Sequence, residues 1–200
     1  PYLKKGKNLI AFQTFRWCDG SWDEDQDFWR FTGIAREVYL YARPKLHAAD
    51  IRLDAGLMNN YRDGILNYQI ALKGGKTDVT VALCDKDGKQ IASATGAQGV
   101  IKVPKVKAWT AETPYLYTLQ VSLMGAQKKD AMKAASMTPV KVGFRKVEIK
   151  NKQFLVNGQP VLIKGANRHE FSSITGRAVG VHTHEELLRD IITMKQNNIN

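Results

Sequence analysis

The chain reads as mainly β: an immunoglobulin-like β-sandwich over residues 44–146, preceded over 1–43 by the end of another β-domain and followed over 147–200 by the first βα unit of a TIM-type (β/α)8 barrel. Three observations carry this. Short β-patterned runs recur between residues 47 and 144 with Gly-Gly and Asp-Gly turn signals between them and no helical periodicity. Asn157-Gly158 then sits between apolar runs, the strongest short-range hairpin signal, because both central residues of the favoured turn need positive φ. Beyond the hairpin an apolar run at 161–164 is followed by a stretch of helical spacing, a strand and then a helix lying back on it.

The first 43 residues hold two strand-like runs. In 6–15, Leu9, Ile10, Phe12 and Phe15 alternate loosely with polar residues, and in 36–42, Val38, Leu40 and Ala42 alternate with Glu37, Tyr39 and Tyr41. Two strands bury no core by themselves, so this segment is expected to pack loosely or to lean on a neighbour. The loop between them carries Asp19, Asp23, Glu24, Asp25 and Asp27 among Trp17, Trp22, Phe28 and Trp29. An EF-hand starting at Asp23 fails, because its sixth position is Phe28 instead of Gly and its twelfth is Ile34 instead of Glu. On residues alone this is a solvated acidic loop around a packed tryptophan.

From Pro44 onward, strands are predicted at 47–55, 65–73, 78–85, 100–104, 114–123 and 138–144, with turns at Gly74-Gly75, Asp87-Gly88 and Gly99. In the fifth of these Tyr115, Tyr117, Leu119, Val121 and Leu123 keep one parity, as a strand facing a second sheet requires. Trp109 and Tyr115 therefore read as core residues before they read as a platform for a sugar ring. In the last segment a helix is predicted over 184–197, with Thr183 and Glu186 spaced as a capping box and Leu187, Leu188, Ile191, Ile192 and Met194 at helical intervals. Asn197, Asn198 and Asn200 end it.

Hydrophobic content of 44% and charged content of 24% suit a packed globular chain. No run approaches the roughly 18 consecutive apolar residues that span a bilayer, and the stretch from Pro1 does not read as a signal peptide. The net charge of +11 comes from lysines spread along the chain, without the basic block or aromatic signature of a nucleic-acid binder. Cys18 and Cys84 share no metal-like spacing and read as thiols. His182 and His184 do not read as a zinc pair, since His184 opens a helix and no third ligand is near.

The segment GANRHEF (165–171), preceded by VGFRKVEI (142–149) and NGQPVLIKG (157–165), resembles the bacterial β-galactosidases of glycoside hydrolase family 2. The resemblance continues in DGSWDEDQDFWRFTGIAREVYL (19–40), WTAETPYLYTL (109–119) and LLRDIITMKQNNIN (187–200), in the family's order. It implies that residues 1–43 end a sugar-binding jelly-roll, that the sandwich is a spacer bracing the barrel, and that such enzymes run on for several hundred residues past Asn200.

The family's acid/base and nucleophile glutamates would lie on later barrel strands, so neither role falls to this chain, which is expected to be inactive alone. By the same resemblance His169 stabilises the transition state and binds substrate, Asn167 binds substrate, and Asp27 contacts the galactose and a sodium ion; Trp29, Gly33 and Arg36 are structural. Full-length members use Na+ and Mg2+ and assemble as homo-oligomers, and the expected substrate is a terminal β-galactoside; this piece is expected to bind no metal itself. Phe171 departs from members that carry a second histidine there, and the segment after the hairpin separates this chain from the related glucuronidases and mannosidases. The alternative from another class is an independent β-sandwich module for carbohydrate or protein binding, in which the Asn-Arg-His-Glu segment is only a structural edge.

Overall fold

The computed structural model describes residues 3–23, 33–34, 37–124, 134–168, 172, 174–175 and 183–200. They form two compact units, 1–41 with 166–197 and 42–165 with 198–200. The second is built from strands β1 (His47–Met58), β2 (Asp63–Lys73), β3 (Val79–Cys84), β4 (Gln90–Thr95), β5 (Gln98–Val103), β6 (Tyr117–Met124) and β7 (Ala134–Val142), followed by a small sheet of β8 (Val147–Lys150), β9 (Gln153–Val156) and β10 (Gln159–Pro160).

The seven larger strands make two antiparallel sheets, β1-β2-β5 and β4-β3-β6-β7. Their inner faces follow from period-2 patterning: Leu66, Tyr68 and Ile70 from β2, Val79, Val81 and Leu83 from β3, and Tyr117, Leu119, Val121 and Leu123 from β6 are all buried. Phe144, just past β7, is fully buried, and its ring meets Tyr117 edge-on at 5.4 Å. The hydroxyl of Tyr117 accepts the Lys107 N–H at 2.9 Å, so a strand residue anchors the loop upstream of it. Gly64 exists for packing reasons: a Cβ there would come within 2.8 Å of the Phe144 ring.

One strand escapes the sequence reading. β4, QIASAT, alternates small residues with polar ones and has no apolar run to announce it. It is held because β3 offers it a ladder from Thr80 to Cys84 and because Ala92 and Ala94 pack against the core. Gly99, expected to mark a turn, lies inside β5 opposite Tyr68, whose ring covers it so closely that an added Cβ would sit 2.7 Å from the hydroxyl oxygen. Among the described residues that hydroxyl is buried and meets no hydrogen-bond partner.

Strands expected at 6–15 and 36–42 do not form among the described residues, where 6–15 and 37–42 take no part in any sheet and Leu9, Phe12, Phe15, Leu40 and Tyr41 are exposed. Alternation makes a segment able to join a sheet, but backbone donors and acceptors are satisfied only by a neighbouring strand. The same holds at 161–164, where Leu162 and Ile163 are exposed outside any strand. Asn200 lies beside this run: its N–H donates to the Lys164 carbonyl at 3.0 Å, its Oδ1 accepts the Lys164 N–H at 2.8 Å, and its Nδ2 donates to the Leu162 carbonyl at 3.1 Å.

The β1–β2 connection is organised by Asp63, the one charged residue among the buried ones described. Its carboxylate receives two hydrogen bonds from the Arg62 guanidinium (2.8 and 3.0 Å), one from Asn59 Nδ2 (2.7 Å) and one from the Lys105 N–H (2.9 Å). The Arg62 bonds first, then those from Asn59 and Lys105, hold its carboxyl far below the usual carboxylate range. A group with a depressed folded pKa stabilises the fold above its unfolded value, about 3.9, and loses that contribution as pH falls towards the folded one. The urea midpoint of the sandwich is therefore expected to fall with acidification below about pH 4, and Asp63→Asn is expected to lower the midpoint at neutral pH and flatten this acid limb.

Candidate functional site

The rim segment belongs to the first unit, together with helix α1 (Asp19–Asp23) and helix α2 (Thr183–Gln196). Asn167 is exposed, which leaves its amide open to solvent. Arg168 turns the other way. Its guanidinium grips Asp190 on α2, with Nε to Oδ2 at 2.6 Å and Nη2 to the same oxygen at 2.5 Å. Four residues on, the buried Ser172 donates its hydroxyl to Glu186 Oε1 at 2.8 Å and accepts the N–H groups of Ile174 and Thr175 at 3.2 Å each.

Two clasps one helical turn apart, at Glu186 and Asp190, thus tie the segment after the hairpin to one side of α2. Sequence reasoning placed Arg168 in the rim segment without a partner and passed over Ser172 and Asp190. The available signal was the i, i+4 spacing of Glu186 and Asp190 on a helix whose apolar residues lie elsewhere. The helix itself forms over 183–196 as patterned, and Asn198, with φ of 59°, closes its C-terminus in the left-handed conformation. Leu188, Ile191 and Ile192 remain exposed.

His169, Glu170, Phe171, His182 and Asp27 lie outside the described residues, as do Trp29 and Arg36. Of the acidic loop, Asp19 and Asp23 are described; both lie on α1 and are exposed, beside the stacked rings of Trp17 and Trp22 at 5.5 Å. Among the described residues no three His, Cys, Asp or Glu side chains gather as metal ligands, and no helix is long and apolar enough to cross a membrane. Cys84 is buried in β3 and Cys18 is exposed, with no disulfide between them.

Three family models match the chain in succession: the sugar binding domain of glycosyl hydrolases family 2 over residues 1–44, glycosyl hydrolases family 2 over 37–145, and the TIM barrel domain of glycosyl hydrolases family 2 over 147–200. The chain belongs to glycosyl hydrolases family 2. Relatives of this family 2 chain include a β-galactosidase of Priestia megaterium, 41% identical over all of the chain and 20% of the relative, and one of Streptococcus thermophilus, 40% identical over all of the chain and 19% of the relative.

Solved structures similar to it include a β-glucuronidase from Ruminococcus gnavus (TM-score 0.68, 27% identity, 80% of this chain and 26% of that one) and a β-glucuronidase of Lactobacillus rhamnosus (TM-score 0.66, 31% identity, 78% and 25%). The chain spans about a fifth of the length of the curated relatives it matches.

Ser172→Ala in this family 2 chain removes the one oxygen that serves two backbone donors and Glu186. Hydrogen exchange is expected to speed up about tenfold at Ile174 and Thr175 while amides of the sandwich core keep their rates.

Proposed function

We propose that this chain is the part of a retaining exo-β-galactosidase that ends the sugar-binding domain, braces the barrel with a sandwich and begins the barrel's substrate rim. The observation that carries the reading is identity of about two residues in five with β-galactosidases across the whole chain. In the reading, Asn167 and His169 face the terminal galactose. Imidazole donates to a sugar hydroxyl, and that bond strengthens as positive charge builds at the anomeric carbon. Asp27 reaches the same sugar.

Retention requires two carboxyl groups about 5–5.5 Å apart, one as acid and one as nucleophile. In this reading the pair is the one the family resemblance puts on later barrel strands of the parent enzyme, and the chain by itself does not turn over. A sodium ion suits the hard oxygen of Asp27, which would supply one of its several ligands. The described residues add no cluster to complete that site or a magnesium site, and no step depends on either ion here.

A second reading has its own support, because the solved structures named above are β-glucuronidases. The higher identity, over the full chain, lies with the galactosidases. The test uses nitrophenyl β-galactoside and nitrophenyl β-glucuronide with the 200-residue chain and with the full-length parent. The chain alone is expected to be inert, and the parent is expected to prefer the galactoside. In the parent, His169→Ala should lower kcat/KM by about 10²–10³-fold. Preference for the glucuronide would overturn the galactosidase assignment, and a parent with no barrel after Asn200 would favour a binding module.

A further inference from the structure

The family models divide the chain between residues 145 and 147, and the sequence reading separates sandwich from barrel at the same place. The structure puts no joint there. Gly143 is packed so tightly that a Cβ would lie 3.2 Å from Leu116 Cδ2 and from Trp109 Cδ1. Phe144 is fully buried, and its carbonyl accepts the Trp109 N–H at 2.8 Å. The Arg145 guanidinium stands 4.9 Å from the centre of the Trp109 ring. Lys146 has both backbone groups engaged by Asn157, whose N–H donates to the Lys146 carbonyl (2.8 Å) and whose Oδ1 accepts the Lys146 N–H (2.9 Å). Domain boundaries fall in exposed linkers that few contacts cross, and the stretch 143–146 is instead held along its whole length.

The small sheet that follows lies in the same compact unit and meets the sandwich with one face. Tyr61, in the β1–β2 connection, packs against the sandwich core, and its hydroxyl donates to Glu148 Oε1 on β8. Glu148 Oε2 is 3.0 Å from Lys146 Nζ, and that ammonium stands 5.8 Å from the centre of the Tyr61 ring. Leu155 on β9 pairs directly opposite Glu148, so the two side chains share the face that Tyr61 meets, and Leu155 is buried. On the other face Val147 and Ile149 are exposed. The Tyr61 ring also covers Gly158, where φ is 76° and a Cβ would sit 2.7 Å from Cζ. Beside it, Asn157 Nδ2 donates to the Trp109 carbonyl at 2.9 Å, in the loop before β6.

The loop that carries Tyr61 is set by the sandwich. Asn59, Asn60 and Tyr61 adopt φ of 51°, 55° and 63°, three consecutive non-glycine residues in the left-handed region. Such a conformation persists only where its surroundings over-determine it. Asp63 supplies that through its bonds to Asn59 and Arg62, and Val106 N–H to the Arg62 carbonyl (3.1 Å) adds a further tie. The small sheet has no comparable resource, since β8, β9 and β10, of four, four and two residues, are too short to bury a core of their own.

We propose that the β8–β10 sheet is a cooperative part of the sandwich, strapped to it by Tyr61 and Asn157, so that the folding unit runs on through Pro160 and the division at 145/147 cuts through it. The proposal goes beyond the glycosidase reading and is independent of it.

The test is native-state hydrogen exchange of the 200-residue chain in increasing urea. It is read at Asn157 and Val161, whose N–H groups bond the Lys146 and Phe154 carbonyls, and at Leu119 and Val121 in β6. In the wild-type chain the four amides are expected to converge on one urea dependence, that of global opening. Tyr61→Phe keeps the ring over Gly158 and deletes only the bond to Glu148. In one cooperative unit that loss is felt throughout, so exchange is expected to speed up about tenfold at all four amides together, with a single urea transition at a lower midpoint. Asn157→Asp, which keeps the Oδ1 acceptor and removes the donor to Trp109, is expected to act in the same way at Val161, Leu119 and Val121.

Acceleration confined to Asn157 and Val161, with Leu119 and Val121 unchanged, would make the small sheet an appendage and overturn the proposal. So would a wild-type chain in which Asn157 and Val161 open with a weaker urea dependence than β6. Unchanged rates at every one of these amides in both variants would overturn the part assigned to Tyr61 and Asn157.

Discussion

A β-strand is not a property of the segment that forms it, because half of its polar backbone must be satisfied by a neighbour. That constraint orders this structure. In residues 47–142 seven strands find one another, bury Leu66, Val81, Leu119 and Val121 between two sheets, and enclose Phe144 at one end. In 6–15 and 37–42 apolar and polar residues also alternate, if loosely, and 161–164 is an apolar run, yet among the described residues these segments form no ladder and expose Leu9, Leu40, Leu162 and Ile163. Composition does not separate the two groups. Partners do.

Within its own unit, the sandwich carries the small sheet. Its loops hold the β8–β10 sheet through Asn157, Gly158 and Glu148, and the run at 161–164 issues from that sheet. Beyond it, Arg168 and Ser172 tie the rim segment to Asp190 and Glu186 of α2. The strained turn at Asn59-Asn60-Tyr61, organised around Asp63, seats Tyr61 against Glu148 and Gly158 of the small sheet. Membership of glycosyl hydrolases family 2 gives that seating its interest, because the barrel model begins at residue 147, within the same small sheet.

Much of the fold was legible in the residues. Period-2 alternation located six of the seven sandwich strands, and Asn157-Gly158 marked a turn with both φ values positive, 50° and 76°. A second turn, at Asn151-Lys152 with φ of 50° and 63°, carries no glycine and gave no such signal, so β8 was missed as a strand. β4 was missed because, apart from the exposed Ile91, it holds only small and polar residues. At the site, the Asn-Arg-His-Glu segment was conspicuous by its resemblance to the family, whereas the clasps at Asp190 and Glu186 depend on distances between a loop and a helix. No local pattern encodes those.

The direct test of this account is site-resolved hydrogen exchange of the 200-residue chain by NMR. The amides of Leu66, Val81, Leu119 and Val121 are expected to exchange only through global opening, while those of Ile10, Phe12, Leu40, Leu162 and Ile163 exchange at nearly the rates of an unstructured peptide. Protection of the second group comparable to the first would contradict it, since those segments would then have found partners that the two sheets of the sandwich do not provide.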